Sequence, residues 1–148
     1  MTEREVAALL GTSHFRVLIG REELGFCEVG PLSSGTDLEA DEPQDGFAHV
    51  VLRRALSGDT TLFDWRRSIV DGRDDRRTVT IHLLERAGGR IANSWRLVRS
   101  WPCRWSGPAL NALESGIAFE EVELAFDDLV WVRPRPPRRH RRPTSQGA

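Results

Sequence analysis

The chain has 148 residues, of which 39% are apolar and 29% are charged. It is therefore long enough for one globular domain and too apolar to be disordered throughout. No apolar stretch approaches the roughly 18–20 residues that a membrane-spanning helix needs, so we expect no membrane insertion. The acidic Met1–Glu5 segment lacks the basic start of a secretory signal, which favours a soluble, cytoplasmic protein.

Charge is distributed unevenly along the chain. All 21 basic residues are arginines, and six of them lie in residues 133–148, which contain no acid. Residues 1–132 therefore carry 15 arginines against 22 acids, a net charge of −7. This acidic body argues against a nucleic-acid-binding domain, because phosphate contacts need clustered positive charge. The arginine-rich tail is the one segment suited to nucleic acid, and its simpler interpretation is a solvated extension.

The first third of the chain predicts an arm, two short strands and a long loop. Alternating apolar residues predict a strand over Phe15–Ile19, Arg21–Gly25 is turn-like, and Phe26–Val29 predicts a second short strand. Residues 30–46 are rich in glycine, proline, serine and acids. A loop of this length is usually functional or mobile.

A strand and a helix follow this loop. Phe47–Leu56 predicts a strand with Val50, Leu52 and Leu56 on one face. Polar residues 57–61 suit a helix cap, and apolar residues at i, i+3 and i+7 predict an amphipathic helix that ends at Gly72. The helix residues that we expect to pack on the sheet are Leu62, Trp65 and Ile69.

The second half of the chain predicts three longer strands. Arg76–Leu84 leads to a hairpin turn at Gly88-Gly89, and the odd-numbered residues of Trp95–Trp105 should share one buried face. Because Pro102 lacks an N–H, strand pairing should break there unless the strand lies at an edge. In Ile117–Phe126 the apolar positions change parity, which predicts a β-bulge near Glu120-Glu121. The tryptophans expected in the core are Trp95, Trp101 and Trp105.

These elements predict a mainly β fold with six or seven strands. We expect a two-sheet antiparallel β-barrel or sandwich with one flanking α-helix. The predicted organisation is an N-terminal arm (1–13), a β domain (14–132) and a disordered arginine- and proline-rich tail (133–148).

No residue pattern predicts catalysis. The four histidines are isolated, without the three-to-five-residue spacing of a zinc site, so His49 and His82 are interpreted as structural. Cys27 and Cys103 are expected to be buried free thiols. The acids of residues 120–123 are interpreted as exposed edge charges, and nucleotide-binding and nucleophile motifs are missing. The sequence therefore favours a protein that is not an enzyme and has no cofactor, metal or small-molecule substrate.

Several segments resemble the tail-tube proteins of contractile phages and of related contractile injection systems. The most specific is the Trp-Pro segment Ser100–Ala112 with its Gly-Pro continuation. The other similar segments are Phe26–Leu32, Leu52–Asp59, Leu62–Trp65, Val79–Leu84, Trp95 and Phe119–Ala125. The similarity covers roughly residues 14–130. The similarity is lost in residues 33–46. This segment is shorter and more acidic than the family's loop, and it lacks the Tyr-Arg-Glu-Gly-Gly and Leu-Pro-Gly motifs of that loop.

The resemblance implies a structural subunit that forms stacked hexameric rings around a channel, with sheath, spike or baseplate proteins as partners. The shorter loop favours one alternative, a tube-initiating or baseplate adaptor ring between spike hub and tube. A second alternative is a small nucleic-acid-associated protein that acts through the arginine-rich tail. In the family this loop helps to stack rings, so the candidate stacking residues are Asp37, Glu39, Asp41, Glu42 and Asp45.

Overall fold

A computed structural model of the chain describes residues 14–33, 47–86 and 89–133, which form eight strands and one helix. The strands are β1 (Phe15–Ile19), β2 (Glu22–Leu24), β3 (Glu28–Val29), β4 (Ala48–Ala55), β5 (Arg77–Leu84), β6 (Ile91–Ser106), β7 (Phe119–Phe126) and β8 (Asp128–Val132). The helix, α1, spans Thr61–Val70. In this part of the chain no helix has the length and apolar character needed to cross a bilayer.

The strands form two antiparallel sheets that share β6. Sheet A has the order β2-β1-β5-β6-β8, and sheet B has the order β3-β4-β7-β6. The 16 residues of β6 serve both sheets, since those up to Ser100 pair with β5 or β8 and those from Trp101 pair with β7. Among the described residues β2 and β3 do not pair with each other, so the sheets form a sandwich rather than a closed barrel. The predicted mainly β, two-sheet antiparallel fold is confirmed.

The chain passes between the two sheets at two neighbouring points. Arg99 has a φ of +53° within β6, and Asp127 separates β7 from β8. The Asp127 N–H donates to the Val98 carbonyl at 2.9 Å, and the Asp127 carboxylate lies 3.0 Å from Arg99 Nε. These contacts hold the two crossing points together.

The crossing changes which side of β6 is buried. Leu97 is buried as predicted, but the inverted backbone at Arg99 makes the even-numbered Ser100 and Pro102 the buried residues beyond it. The single odd-numbered face predicted for Trp95–Trp105 is therefore wrong at Arg99, Trp101 and Cys103, whereas Trp105 again packs against the core. Pro102 itself stays paired with Leu124, and this part of β6 is an edge strand of sheet B, which is the alternative predicted for the proline. The register with β7 shifts just beyond it, between Pro102 and Arg104.

The core lies between the sheets and includes one face of α1. Its buried residues from β1, β2 and β4 are Val17, Ile19, Leu24, Val50 and Leu52, those from α1 are Leu62 and Trp65, and those from β5, β6 and β7 are Val79, Ile81, Leu97, Val122, Leu124 and Phe126.

Helix α1 is preceded by a side-chain hydrogen bond to its first backbone N–H and ends in a backbone cap. At its start Asp59 Oδ1 accepts a hydrogen bond from the Thr61 N–H at 2.9 Å. At its end Gly72 has a φ of +83°, and its N–H donates to the Ile69 carbonyl at 3.0 Å while the Arg73 N–H donates to the Ser68 carbonyl at 3.1 Å. This pair of bonds is a Schellman motif, which confirms the predicted helix end at Gly72.

The structure corrects the turn predicted over Arg21–Gly25. Gly20 adopts a φ of +62°, so the chain reverses over Gly20 and Arg21 and residues 22–24 return as β2 alongside β1. Leu24 is buried in the core beside Val17, its partner across the hairpin. A strand of three residues is too short to show a period of two in the sequence.

The β-bulge predicted near Glu120-Glu121 is also wrong. Strands β4 and β7 stay in continuous register from the Ala48–Phe126 pair to the Ala55–Phe119 pair. The apparent change of parity arises because Glu120 points inward on the same face as the apolar even-numbered residues. On β4 the equivalent inward position is Arg54, and Leu56, predicted on the buried face, lies beyond the strand and is exposed.

Some predicted features lie outside the described residues. They are the N-terminal arm, most of the acidic loop, Gly88 of the predicted hairpin turn and the tail beyond Arg133.

Candidate functional site

In the part of the chain that the structure describes, the two sheets have four edges, and one of them, the Trp101–Ser106 part of β6, is contacted by α1, whose Arg66 Nη1 donates to the Pro102 carbonyl at 3.0 Å. The other three edges can make contacts with other molecules. Within the described ranges β2 pairs only with β1, β8 pairs only with β6, and β3 pairs only with β4. Edge strands carry backbone N–H and C=O groups that can bind another chain unless something covers them. This arrangement is suited to assembly rather than to chemistry.

Exposed apolar side chains lie in the loop between β6 and β7. Leu110, Leu113 and Ile117 are 86%, 95% and 72% exposed. On β8 Trp131 is 63% exposed, and its indole N–H donates to Asn93 Oδ1 at 3.1 Å. Large exposed apolar side chains grouped in one loop are typical of surfaces that bind other proteins.

A buried ion pair ties sheet B to the start of α1. Arg54 Nε donates to Glu120 Oε1 across the β4–β7 pair, and the two side chains are only 8% and 2% exposed. The Trp105 indole N–H donates to Glu120 Oε2 at 3.0 Å, and Arg54 Nη1 donates to Asp59 Oδ2 at 3.1 Å. The Thr61 hydroxyl, which also donates to Asp59, holds the pKa of that carboxyl below its usual range. The interpretation of Glu120 as an exposed edge charge is therefore wrong.

Three side chains from three strands of sheet B converge on one point. His49 Nδ1 lies 3.0 Å from Glu123 Oε1 and 3.7 Å from Cys103 Sγ. All three residues are half-buried, and their ligand-type atoms lie within 4.8 Å of one another. In the sequence Cys103 and Glu123 follow His49 by 54 and 74 residues, so histidine spacing alone could not reveal the cluster.

The other titratable groups singled out in the sequence have simpler surroundings. His82 Nδ1 lies 2.6 Å from Ser94 Oγ, and burial, followed by the nearby Arg16 charge, lowers the pKa of His82. The uncharged form of this histidine is therefore favoured over the charged form. Cys27 is exposed rather than buried as predicted, and its thiol donates to the Arg53 carbonyl at 3.3 Å.

The residues predicted to pack in the core take different positions. Leu62 and Trp65 are buried, while Ile69, Trp95 and Trp105 are partly buried against the core. Trp101 lies on the other side of sheet B, edge-on to Phe47 with ring centroids 6.0 Å apart. The five loop acids proposed for ring stacking lie outside the described residues.

A known protein family matches most of this chain. Residues 11–130 match the family described as T4-like virus tail tube protein gp19. The chain belongs to this tail tube family. The match extends over the whole sandwich, from β1 into β8. A comparison with curated protein sequences finds no match.

Solved structures share the fold of this tail tube family member. A chain of the extended PVC sheath-tube complex, an extracellular contractile injection system, is 22% identical with a TM-score of 0.75, over 90% of this chain and 99% of that chain. A chain from the PVC sheath/tube terminator is 24% identical with a TM-score of 0.73, over 84% and 96%. A chain from the tube terminating cap of the anti-feeding prophage is 19% identical with a TM-score of 0.73, over 85% and 92%.

Proposed function

We propose that this chain is a non-enzymatic structural subunit of the inner tube of a contractile injection system or phage tail, and that it forms hexameric rings around a channel. The observation that carries the proposal is the family match over residues 11–130. The partners of such a subunit are further copies of itself, together with the sheath, spike and baseplate proteins of the same particle. We place its assembly in the cytoplasm.

The surface of the isolated subunit supports assembly into rings. Three sheet edges are available, and repeated contact between two different faces of identical subunits closes into a ring when the rotation fits. Leu110 and Leu113 in the β6–β7 loop are almost fully exposed, and such a group of apolar side chains is suited to a contact with a neighbouring subunit.

Electron microscopy of the purified full-length protein tests this proposal. We expect ring-shaped particles with sixfold symmetry from the natural chain. The double variant Leu110→Asp/Leu113→Asp should abolish or strongly reduce the rings, because two charges would be placed in the contact between subunits. Its free energy of unfolding should change by less than about 0.5 kcal/mol, since both side chains are almost fully exposed in the subunit.

A matched control is Val70→Asp, which places a charge on an exposed apolar residue of α1. Rings that persist in this control and disappear in the loop variant support assembly through the β6–β7 loop. Monomers of the natural chain under all conditions of concentration and salt would contradict the proposed function. Unchanged rings in the loop variant would contradict only the assignment of this loop to the contact.

We propose a second, axial contact through the acidic loop. Residues 33–46 carry five acids and no base, so they suit pairing with arginines of an adjacent ring. Neutralising Asp37, Glu39, Asp41 and Glu42 to their amides should shift the balance between single rings and stacks, while single rings remain intact. Salt should have a similar effect, because exposed charge pairs are screened beyond about 8–10 Å at ordinary ionic strength.

The control for the axial contact removes the same number of charges elsewhere. The variant that neutralises Asp64, Asp71, Asp74 and Glu85 changes four exposed acids outside the acidic loop and outside the β6–β7 loop. Analytical ultracentrifugation over a salt series measures the stacking of both variants. Only the acidic-loop variant should differ from the natural chain. Equal stacking in both variants at every salt concentration would exclude this loop from the axial contact.

Two alternatives from the sequence have no support among the described residues. The adaptor-ring alternative depends on the acidic loop, and the nucleic-acid alternative depends on the arginine-rich tail, most of which lies beyond Arg133. The acidic net charge of residues 1–132 still favours weak, non-specific binding of nucleic acid at most.

A further inference from the structure

We propose that His49, Cys103 and Glu123 form a binding site for a divalent ion of the Zn²⁺ class on the outer face of sheet B. The three residue types are common zinc ligands, and their ligand-type atoms lie within 4.8 Å of one another. The site does not depend on ring formation, because all three residues belong to one subunit.

The distances between the donor atoms agree with a shared ion. Typical bond lengths to tetrahedral zinc place a nitrogen and an oxygen ligand about 3.4 Å apart, and a sulfur and a nitrogen ligand about 3.6 Å apart. The corresponding separations are 3.0 Å between His49 Nδ1 and Glu123 Oε1, and 3.7 Å between Cys103 Sγ and His49 Nδ1. Small side-chain rotations are enough to accommodate the ion.

The same geometry argues against a proton relay for nucleophilic catalysis. In a relay the carboxylate binds one imidazole nitrogen, and the nucleophile binds the other. Here both Glu123 and Cys103 face Nδ1 of His49. Two groups that approach the same nitrogen from different strands suit a shared ion better than a relay.

The fold explains how distant residues reach this point. Glu123 lies on β7, the middle strand, and His49 on β4 pairs with Ala125, so the histidine and the glutamate are diagonal neighbours. On the other side of β7, the register passes from Pro102 directly to Arg104, so Cys103 is the extra residue of a bulge. Bulges redirect a side chain, and this one places the thiol beside the other two groups.

The donor set favours zinc over calcium and magnesium. Thiolate is a soft ligand and imidazole a borderline one, both of which suit zinc, whereas calcium and magnesium require several oxygen atoms. The Cys103 thiol donates to the Glu123 carbonyl at 3.4 Å, and metal binding would replace this proton, so affinity should increase with pH. An ion held here would connect β4, β7 and β6 across sheet B.

Metal titration of the full-length chain tests the site, with Zn²⁺ and Co²⁺ as probes. Bound Co²⁺ should give a thiolate-to-cobalt charge-transfer band that is lost in Cys103→Ser and weakened in His49→Ala and Glu123→Gln. Loss of a direct ligand should reduce affinity by no less than the roughly 10–100-fold that follows loss of an outer-shell partner. The matched control is Cys27→Ser, which removes the only other thiol of the chain and should retain the band.

A second measurement on the natural chain does not depend on the folding of any variant. Zn²⁺ should slow alkylation of Cys103 at least about tenfold, because a metal-bound thiolate is unavailable for reaction, while Cys27 should react at an unchanged rate. Mass spectrometry of the two cysteine peptides reports both rates in one sample. A cobalt band that survives in Cys103→Ser, or alkylation of Cys103 that Zn²⁺ does not slow, would overturn the proposal.

Discussion

Replacing Glu120 by alanine is expected to lower the free energy of unfolding by about 3–5 kcal/mol, because it leaves the buried Arg54 charge without its main partner. The two side chains are 2% and 8% exposed and face each other across the β4–β7 pair. The substitution also removes the acceptor of the Trp105 indole N–H. Arg54→Met should destabilise the protein by a similar amount, because it leaves the Glu120 carboxylate buried. Guanidinium denaturation measures both effects.

The double variant Arg54→Met/Glu120→Leu separates an unpaired charge from a loss of packing. Buried ion pairs can often be exchanged for apolar residues at little cost, so the double variant should recover most of the lost stability. The control is Glu23→Ala, which breaks the Arg16–Glu23 pair, in which both side chains are 47% exposed. This exposed pair should contribute far less to stability, because water and salt screen its charges. Equal losses for Glu120→Ala and Glu23→Ala would show that burial of the Arg54–Glu120 pair has no energetic consequence.

Trp65→Ala is expected to reduce the free energy of unfolding by about 3–5 kcal/mol, because it leaves a large cavity where α1 meets the core. Trp65 is 1% exposed, and its indole N–H donates to the Asp75 carbonyl at 2.7 Å. The Arg77 guanidinium lies over the indole ring, 5.0 Å from its centroid. The substitution therefore removes packing, a hydrogen bond and a cation–π contact together, and thermal or denaturant unfolding measures the sum.

The control on the same helix is Phe63→Ala. Phe63 is 42% exposed and makes an edge-type ring contact with Trp105, with ring centroids 5.1 Å apart. Its removal should cost clearly less than removal of Trp65, since about two-fifths of its surface is already in water. A loss below 1 kcal/mol for Trp65→Ala would mean that α1 is not anchored to the core through this residue.

Local patterns in the sequence were sufficient for the longer elements. Strands β1, β4 and β5 and helix α1 lie within one or two residues of their predicted bounds. Alternation in a strand and the 3.6-residue period of a helix are properties of neighbouring residues, so the sequence carries them directly. Family-specific segments such as Ser100–Ala112 also indicated the relationship that the family match over residues 11–130 establishes.

Predictions based on the usual location of charges failed where a charge is buried. Glu120 interrupts the apolar parity of β7, and from the sequence this suggested a bulge. A glutamate in a core is rare unless it is paired, and its partner Arg54 lies 66 residues earlier in the chain. Only the register of β4 against β7 brings the two together.

The sequence by itself determined that the chain is mainly β, that one amphipathic helix follows the strand predicted over Phe47–Leu56, and that the chain resembles the tail tube family. The tertiary structure decided how β6 crosses between the sheets at Arg99, which charges are buried, and that His49, Cys103 and Glu123 meet. The physical reason is the range of the interactions. Strand and helix periodicity depends on residues a few positions apart, whereas a buried ion pair or a metal-type cluster depends on a strand register that joins residues up to 74 positions apart.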